Sequence, residues 1–263
     1  ENVLLAIDLG NSVTAFARFD ECRIARRAHV PTRRLTAGRI RAALTRLADG
    51  LSDAARMPVA VACVVPDRLA VLERSLAEAG FSQPCVVDPA AHEILPTALD
   101  CLETVGVDRL LAARAAGEHC ADAKPAPRIV IQGGTAVTVD LVDAHGVFQG
   151  GVILPGPELW LQALAGAARI PLVTAEPSAW CEAGAGRNTP EAIQNGLALG
   201  LSGAIERAVE AFAQAGDAAQ VFLTGGWARS LRPALRMETT LSPDLVLHGL
   251  RLVAAVWRER KRR

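Results

Sequence analysis

Two similar segments, each an apolar strand, a glycine-containing turn and a second apolar strand, constrain this chain most. The first is Leu4–Asn11 (LLAIDLGN), continued by Val13–Phe19, and the second is Ile129–Gly156 (IVIQGGTAVTVDLVDAHGVFQGGVILPG). Turns of this kind expose backbone N–H groups, and glycine lets a phosphate approach without a Cβ in the way. The two segments therefore predict a nucleotide held between two related half-domains.

The pattern resembles that of the superfamily of acetate and sugar kinases, Hsp70 and actin. In that superfamily a carboxylate at the end of the first strand handles a metal ion or its water, and Asp8 stands at this position. A similar series of strands and turns begins again after Ala121–Pro127 (ADAKPAP). This segment is the clearest shift in composition along the chain. We therefore predict an α/β protein with an N-terminal half, residues 1–124, and a C-terminal half, residues 125–263.

Composition excludes several classes of protein. With 263 residues, 51% of them hydrophobic, the chain can bury a large core. Lys+Arg 28 balances Asp+Glu 28 and Tyr is absent, so neither a basic surface nor a base-stacking platform for nucleic acid is implied. No apolar run reaches the ~18 residues needed to span a membrane. Six scattered cysteines without a CxxC pair predict reduced, mostly buried thiols and a cytoplasmic location.

Local patterns predict alternating strands and helices. Strands are expected at 3–8, 13–19, 23–30, 58–65, 85–88, 129–132, 136–142, 147–154 and 221–223. Helices are expected at 36–48, 67–79, 107–121, 157–168 and 189–214, followed by a final helix from Pro243. Thr36, Asp67 and Thr189 are the predicted N-caps, because Ser, Thr and Asp side chains accept hydrogen bonds from the first free N–H groups of a helix.

Two acidic positions are candidates for catalysis. Asp8 ends an apolar strand, and its alternative role is that of an acid that caps a turn. Asp108 and Arg109 begin a predicted helix, where an acid also complements the helix dipole without any catalytic role. If that helix start faces the cleft, Asp108 can accept a proton from a substrate hydroxyl and Arg109 can hold a substrate anion or carbonyl.

Other candidates have equally plain structural alternatives. Gly225 and Gly226 follow a short apolar strand, and they form either a tight turn or the backbone shelf on which an adenine lies. Thr189 is either a helix cap or part of a pocket. The histidines have no spacing typical of a metal site, and the four Trp are interpreted as packing residues.

Seven motifs in the same order resemble the type III pantothenate kinases, a family that includes the Bvg accessory factor-like proteins. They extend over nearly the whole chain: LLAIDLGNS at 4–12, GVDR at 106–109, GGTAVTVDLVDAHGVFQGGVILPG at 133–156, LQALAGAARIPLV at 161–173, NTPEAIQNGLALG at 188–200, LTGGWA at 223–228 and PDLVLHGLRL at 243–252. The resemblance implies ATP-dependent phosphorylation of pantothenate, the first step of coenzyme A biosynthesis. It also implies two ribonuclease-H-like halves, a homodimer, Mg²⁺, and K⁺ or NH₄⁺.

The resemblance also assigns roles to individual residues. Asp8 would position the metal–phosphate assembly, with Gly10, Asn11 and Ser12 as the first phosphate turn. Asp108 would be the general base toward the pantothenate hydroxyl, and Gly106 and Arg109 would contact the substrate. The remaining assignments are the second phosphate turn at Gly134 and Thr135, the nucleotide border at Gly225 and Gly226, and a pantothenate contact by Thr189 of the dimer partner.

The chain departs from the family pattern at three places. Gln132 stands where the family carries the Asp that binds the monovalent cation, so cation binding should be weaker or absent. Val137 replaces a Thr close to the phosphates, and Leu99 with Cys101 and Leu102 replaces a Tyr and an Asn-Pro pair. These departures leave two alternatives to pantothenate kinase activity. One is a kinase for a different alcohol, and the other is a non-catalytic dimeric binding or regulatory protein.

Overall fold

The computed structural model describes residues 3–49, 56–81, 83–119, 125–177, 180, 183–213 and 219–262, and side chains as far as Trp257. The chain divides into two compact units. Unit 1 comprises Glu1–Ile94, Asp100–Ala115 and Val246–Arg263, and unit 2 comprises Leu95–Leu99 and Ala116–Leu245. Residues 120–124, next to the expected boundary between the halves, lie outside the described residues, and that boundary stays a prediction.

Unit 1 contains a five-stranded sheet in the order β3-β2-β1-β4-β5. Its strands are β1 (Val3–Leu9), β2 (Val13–Asp20), β3 (Arg23–Pro31), β4 (Val59–Cys63) and β5 (Cys85–Val86). The first three strands are antiparallel, while β4 runs parallel to β1 and β5 parallel to β4. The helices α1 (Ala37–Ala48) and α2 (Pro66–Glu78) complete the βαβ connections, and unit 1 also holds most of α3 (Val107–Glu118) and α7 (Leu245–Arg262).

Strand alternation sets the direction of the functional side chain on β1. Leu5, Ile7 and Leu9 belong to the apolar cluster that includes residues of α1 and α2. Because successive side chains of a strand point to opposite faces, Asp8 lies on the other face of the sheet. Asp8 is therefore a single acid in an otherwise apolar strand, near the strand's carboxyl end and on the face opposite the apolar cluster.

Unit 2 contains a second five-stranded sheet, in the order β10-β9-β6-β7-β8. Its strands are β6 (Arg128–Gly133), β7 (Ala136–Val142), β8 (Phe148–Pro155), β9 (Gln220–Thr224) and β10 (Thr240–Leu241). Its helices are α4 (Pro157–Ala167), α5 (Thr189–Phe212) and the short α6 (Ala228–Leu231). Numbered within each unit, both sheets have the order 3-2-1-4-5, which confirms the predicted α/β fold with two ribonuclease-H-like sheets.

Two predicted N-caps are wrong, because in each case the helix starts earlier in the chain than predicted. The N-cap of α2 is Val65, since Pro66 occupies the first turn, where its fixed φ and missing N–H are tolerated. Asp67 is therefore a first-turn acid. The N-cap of α5 is Asn188, whose side chain accepts a hydrogen bond from the backbone N–H of Glu191 at 2.9 Å. Thr189 is the first helical residue.

Two other expectations at helix ends are only partly met. Thr36 does occupy the N-cap position of α1, but its side chain makes no capping hydrogen bond. The last helix begins at Leu245 and not at Pro243, because Asp244 adopts a left-handed backbone conformation with φ 67°. The expected helix end at Gln214 lies outside the described residues, and α5 is described to Phe212.

The described cysteines are free thiols, as expected, but they are not mostly buried. Cys22 and Cys101 are exposed, Cys63 is half-buried and Cys85 is buried. Cys120 and Cys181 lie outside the described residues. No helix within the described ranges combines the length and the apolar character that crossing a membrane requires.

Candidate active site

An interacting pair of carboxylates is the main chemical feature of unit 1. Asp8 lies one residue before the end of β1, and Asp108 lies in the first turn of α3. Burial and then the negative charge of Asp108 raise the pKa of Asp8 to about 7. The structure thus brings the two acids selected from the sequence close enough for their charges to interact.

The start of α3 is shaped around Asp108. The backbone N–H of Arg109 donates to Asp108 Oδ1 at 3.0 Å and to the carbonyl oxygen of Gly106 at 3.1 Å. A Cβ on Gly106 would lie 2.5 Å from Asp108 Oδ1, so only glycine leaves room for the carboxylate in this position. Gly106, Asp108 and Arg109, predicted as one group, therefore lie together, and Arg109 is half-buried.

The first predicted phosphate turn, Gly10 to Ser12, is held by a residue that sequence analysis missed. Thr32 is 2% exposed, and its hydroxyl donates to the carbonyl oxygen of Gly10 at 2.6 Å. Its backbone N–H donates to the carbonyl oxygen of Ser12 at 2.9 Å. Because Thr32 occupies these two carbonyls, it fixes the orientation of the turn's peptide groups. Asn11 and Ser12 are exposed at its tip.

A thiol lies beside the carboxylate pair. Cys63 ends β4 and pairs in register with Leu9, next to Asp8. Burial raises the pKa of Cys63, and the charges of Asp8 and Glu73 raise it further, against a lowering hydrogen bond from the Val65 backbone. A thiol with a raised pKa stays protonated at neutral pH, so Cys63 is a neutral neighbour of the acids and not a nucleophile.

The second predicted phosphate turn is enclosed by backbone from two other elements of unit 2. The N–H of Gly134 donates to the carbonyl of Ala136 at 3.0 Å, which closes the turn between β6 and β7. The N–H of Gly156 donates to the carbonyl of Thr135 at 2.9 Å, and the N–H of Trp227 donates to the carbonyl of Gly133 at 3.1 Å. The start of α4 and the segment after β9 therefore both hold this turn by backbone hydrogen bonds.

Glycine is required at the two positions where these segments pack on the second turn, Gly156 and Gly225. A Cβ on Gly156 would lie 2.2 Å from the carbonyl oxygen of Gly134. A Cβ on Gly225, whose φ is +89°, would lie 2.3 Å from the carbonyl oxygen of Gly133. Nothing lies within 4 Å of the corresponding point on Gly226. Both glycines are exposed, but Gly225 packs on the second turn itself, while Gly226 has open space beside it, as a backbone shelf requires.

Gln132 is the centre of a polar row across the second sheet. It pairs in register with Thr138 on β7 and with Thr224 on β9, and cross-strand partners point to the same face. Thr138 is 8% and Thr224 is 2% exposed, and the side-chain oxygen of Gln132 is buried. The Thr138 hydroxyl donates to the buried Asp140 carboxylate at 3.0 Å. These groups lie on the face opposite the apolar cluster of unit 2.

Two of the departures from the family pattern are packing residues in the structure. Val137 is fully buried within the apolar cluster of unit 2, on the face opposite Thr138. The expectation that it removes a hydroxyl from the phosphate region is therefore wrong. The side chain of Leu99 packs beside Gly150, with its Cδ2 3.3 Å from the point where a Cβ would stand.

Thr189 lines a separate pocket within unit 2. The pocket has a volume of about 580 Å³ and lies between α4 and the start of α5. Its walls include Trp160, Leu164, Arg187 and Ile193. Thr189 is exposed at the first position of α5. The mixed apolar and polar lining suits a small, partly polar organic molecule.

The predicted residues therefore form three groups. The acid pair and first turn belong to unit 1, while the second turn with Gly225 and the Thr189 pocket are two sites of unit 2. Sequence analysis missed other groups beside these sites, which are Thr32, Cys63, Asp140 and Trp227. Only Trp227 had a local signal, since it directly follows the glycine pair. Thr32 and Cys63 act through contacts distant in sequence, and Asp140 accepts a hydrogen bond from the nearby Thr138.

The side chains of the candidate site can be compared with the ligands that the implied metal ions need. In the described part of the chain no group of three or more His, Cys, Asp or Glu could hold a metal ion. Mg²⁺ in phosphoryl-transfer sites needs only one or two carboxylates, with substrate phosphates and water as the other ligands. Asp8 and Asp108 fit this, because a cation would offset the repulsion and burial that raise the pKa of Asp8. At the position assigned to the monovalent cation, Gln132, Thr138 and Thr224 offer neutral oxygens, and the Asp140 carboxylate accepts a hydrogen bond from Thr138.

Comparisons with known proteins agree on one family. A family model for type III pantothenate kinase matches residues 4–211. A protein from Thermus thermophilus named type III pantothenate kinase is 33% identical over 253 residues, which cover 94% of this chain and 97% of that protein. A relative from Frankia alni with the same name is 34% identical over 256 residues, covering 95% of this chain and 98% of the relative.

A solved structure supports the fold at lower identity. The activator of the 2-hydroxyisocaproyl-CoA dehydratase from Clostridium difficile, solved with bound ADPNP, is similar with a TM-score of 0.53 and 12% identity. The match covers 99% of this chain and 98% of that one. This likeness concerns the fold alone.

Proposed function

The chain belongs to the type III pantothenate kinase family, and from this premise we propose that it transfers the γ-phosphoryl group of ATP to the primary hydroxyl of pantothenate. This reaction is the first step of coenzyme A biosynthesis. The observation that carries the proposal is the pair of interacting carboxylates, Asp8 and Asp108, at the end of β1 and the start of α3. Phosphoryl transfer requires positioning and charge stabilisation, and the two acids can supply both.

Asp108 is the proposed general base. Its carboxylate accepts the proton of the pantothenate primary hydroxyl while the hydroxyl oxygen forms a bond to the γ-phosphorus. The bond between the γ-phosphorus and the bridging oxygen breaks, and ADP leaves with that oxygen. Gly106 keeps the space that the carboxylate occupies, and Arg109 holds the polar end of the substrate beside it.

Asp8 is the proposed anchor of the metal–phosphate assembly. Mg²⁺, when bound there with ATP, would neutralise charge that develops on the phosphate oxygens. The ionised form of Asp8 is the one that binds a cation, and its pKa of about 7 means that this form becomes dominant only above neutral pH without the cation. Within unit 1, the turn at Gly10–Ser12 would hold phosphates through backbone N–H groups, and the turn at Gly134–Thr135 is the proposed phosphate contact of unit 2.

Thr189 and its pocket are the proposed contribution of a second protomer to the pantothenate site. Supporting this, three leucines on α4 and α5 are unusually exposed: Leu159 at 43%, Leu164 at 38% and Leu199 at 54%. Exposed apolar side chains near a pocket are typical of a surface that another chain covers. We therefore propose a homodimer, in a cytoplasmic setting that suits the free thiols.

The experiment that tests this function is ADP release from ATP–Mg²⁺ by the purified protein. Release is measured with and without pantothenate, in K⁺, NH₄⁺ and Na⁺ buffers. Pantothenate-dependent release is expected, with little dependence on the monovalent cation because Gln132 carries no charge. No release in any buffer, from protein shown to be folded, would overturn the proposal and favour the non-catalytic or altered-specificity alternative.

A further inference from the structure

Trp227, which directly follows the glycine pair after β9, makes more contacts than a packing residue needs. Its backbone N–H donates to the carbonyl of Gly133 at 3.1 Å. Its indole Nε1–H donates to Glu158 Oε2 at 2.9 Å. We propose that Trp227 is a positioning residue, which with Glu158 sets the nucleotide-binding geometry of the second phosphate turn. This inference rests on the proposed function, since it concerns how the same site holds ATP.

The indole ring is held in place from its other side. Trp227 stacks on Trp180, with ring centroids 5.5 Å apart and an interplanar angle of 12°. Trp180 is 4% exposed and belongs to the apolar cluster of unit 2. Because the buried Trp180 ring supports it, the Trp227 indole has a fixed orientation. Its N–H therefore points to the start of α4, and the hydrogen bond to Glu158 costs little additional side-chain entropy.

Glu158, which accepts the hydrogen bond from the Trp227 indole N–H, belongs to the helix whose start holds the second turn. Glu158 lies in the first turn of α4, two residues after Gly156. Gly156 in turn donates its N–H to Thr135 of the second turn. The hydrogen bond between Glu158 and Trp227 therefore joins the start of α4 to the segment after β9. These two segments hold the second turn by backbone hydrogen bonds, one from Gly156 and the other from Trp227.

The region that this bond supports is open on the side where a ligand would approach. Gly226 is exposed, and nothing lies within 4 Å of its missing Cβ. Gly225 in contrast is pressed on Gly133. The glycine pair thus has one fixed and one open side, and Trp227 and Glu158 hold the fixed side. A site preorganised in this way binds its ligand without a cost for ordering the turn.

The test is a double-mutant cycle on nucleotide affinity. Trp227→Phe keeps the ring on Trp180 and removes the donor, while Glu158→Ala removes the acceptor. Each should raise the KM for ATP and the Kd for ATP–Mg²⁺ about 3- to 10-fold, the value of one hydrogen bond. The double variant should be no worse than either single one, because both changes break the same bond. The KM for pantothenate and kcat should stay near the wild-type values.

Two further variants separate positioning from simple structural support. Glu158→Gln keeps an oxygen acceptor and should restore near-wild-type ATP affinity. Glu238→Ala, at another exposed acid of unit 2, should change nothing. Melting temperatures are measured on every variant.

Three outcomes would overturn the inference. They are unchanged ATP affinity in both single variants, additive losses in the double variant, or equal changes in both KM values and kcat. If wild-type turnover is normal, these outcomes leave the proposed function intact. If the wild-type protein neither binds ATP–Mg²⁺ nor turns it over, both the inference and the proposed function fail.

Discussion

Asp8 and Gln132 occupy the same position in the two sheets. Each lies on the central strand, β1 or β6, one residue before the strand's last residue, and each points away from the apolar cluster of its unit. One repeat thus carries an acid where the other carries a neutral amide. This position therefore carries a carboxylate that can bind a cation in unit 1 and a neutral side-chain oxygen in unit 2.

Asp108→Asn should lower turnover strongly without unfolding the protein. The change removes the proton acceptor but preserves the shape of the side chain, so kcat should fall about 10²- to 10⁴-fold. The melting temperature should stay close to the wild-type value. Asp100→Asn, at an exposed acid of unit 1, is the matched control and should be fully active. Wild-type turnover in Asp108→Asn would show that Asp108 is not the base.

Asp8→Asn should stabilise the protein at high pH and abolish activity. Because the pKa of Asp8 is raised from 3.8 to about 7, the folded state keeps a proton that the unfolded state loses between these values. The contribution of Asp8 to the free energy of unfolding therefore falls as the pH rises through this window and is lowest above about 7.

The measurement for Asp8→Asn is thermal unfolding of the wild-type and variant proteins near pH 4 and pH 8, without divalent cations. The variant should melt at a higher temperature at pH 8, and the two proteins should be similar near pH 4. Mg²⁺ with ATP should stabilise the wild type but not the variant. An equal difference at both pH values would contradict the assigned titration.

Gln132→Asp should create a dependence on K⁺. The substitution places a carboxylate in the row formed with Thr138 and Thr224, where the wild-type side chain offers a neutral oxygen. Steady-state rates in K⁺, NH₄⁺ and Na⁺ buffers measure the effect. Gln132→Asn, which shortens the side chain but adds no charge, is the control and should stay indifferent to the cation. An unchanged cation response in Gln132→Asp would remove this position from any cation site.

Gly156→Ala should distort the second turn. The new Cβ would stand 2.2 Å from the carbonyl oxygen of Gly134, a backbone atom that cannot move aside cheaply. The expected cost is about 1–3 kcal/mol of stability, with a higher KM for ATP. Gly166→Ala, within the helix α4 that Gly156 precedes as N-cap, places a Cβ with nothing within 4 Å and should instead stabilise by roughly 0.5–1 kcal/mol. Denaturant unfolding of both variants checks the contrast.

Mixing two inactive variants tests the proposed dimeric site. Thr189→Arg should fill the pocket beside Trp160, and Asp108→Asn removes the base. If each site combines Asp108 of one protomer with Thr189 of its partner, refolded mixtures should regain about a quarter of wild-type activity. If both residues serve the same protomer's site, every mixed dimer stays inactive. Each variant refolded alone is the control.

Local patterns predicted the elements better than their ends. The strand alternation around Asp8 and the helical spacing in α5 depend on neighbouring residues, so they can be read from the chain. The N-caps predicted at Asp67 and Thr189 lie two residues and one residue after the observed N-caps, Val65 and Asn188. Local sequence contains competing start signals, and only backbone geometry decides between them.

The sequence by itself determined the two related α/β halves, the glycine turns and the acids that lie near them, because these depend on short-range periodicity and residue type. Only the tertiary structure decided that Asp8 and Asp108 interact, that Thr32 holds the first turn, and that Val137 faces the core. It also joined Glu158 to Trp227 across 69 positions of sequence. Such contacts depend on strand register and packing, which bring distant residues together and which no local pattern encodes.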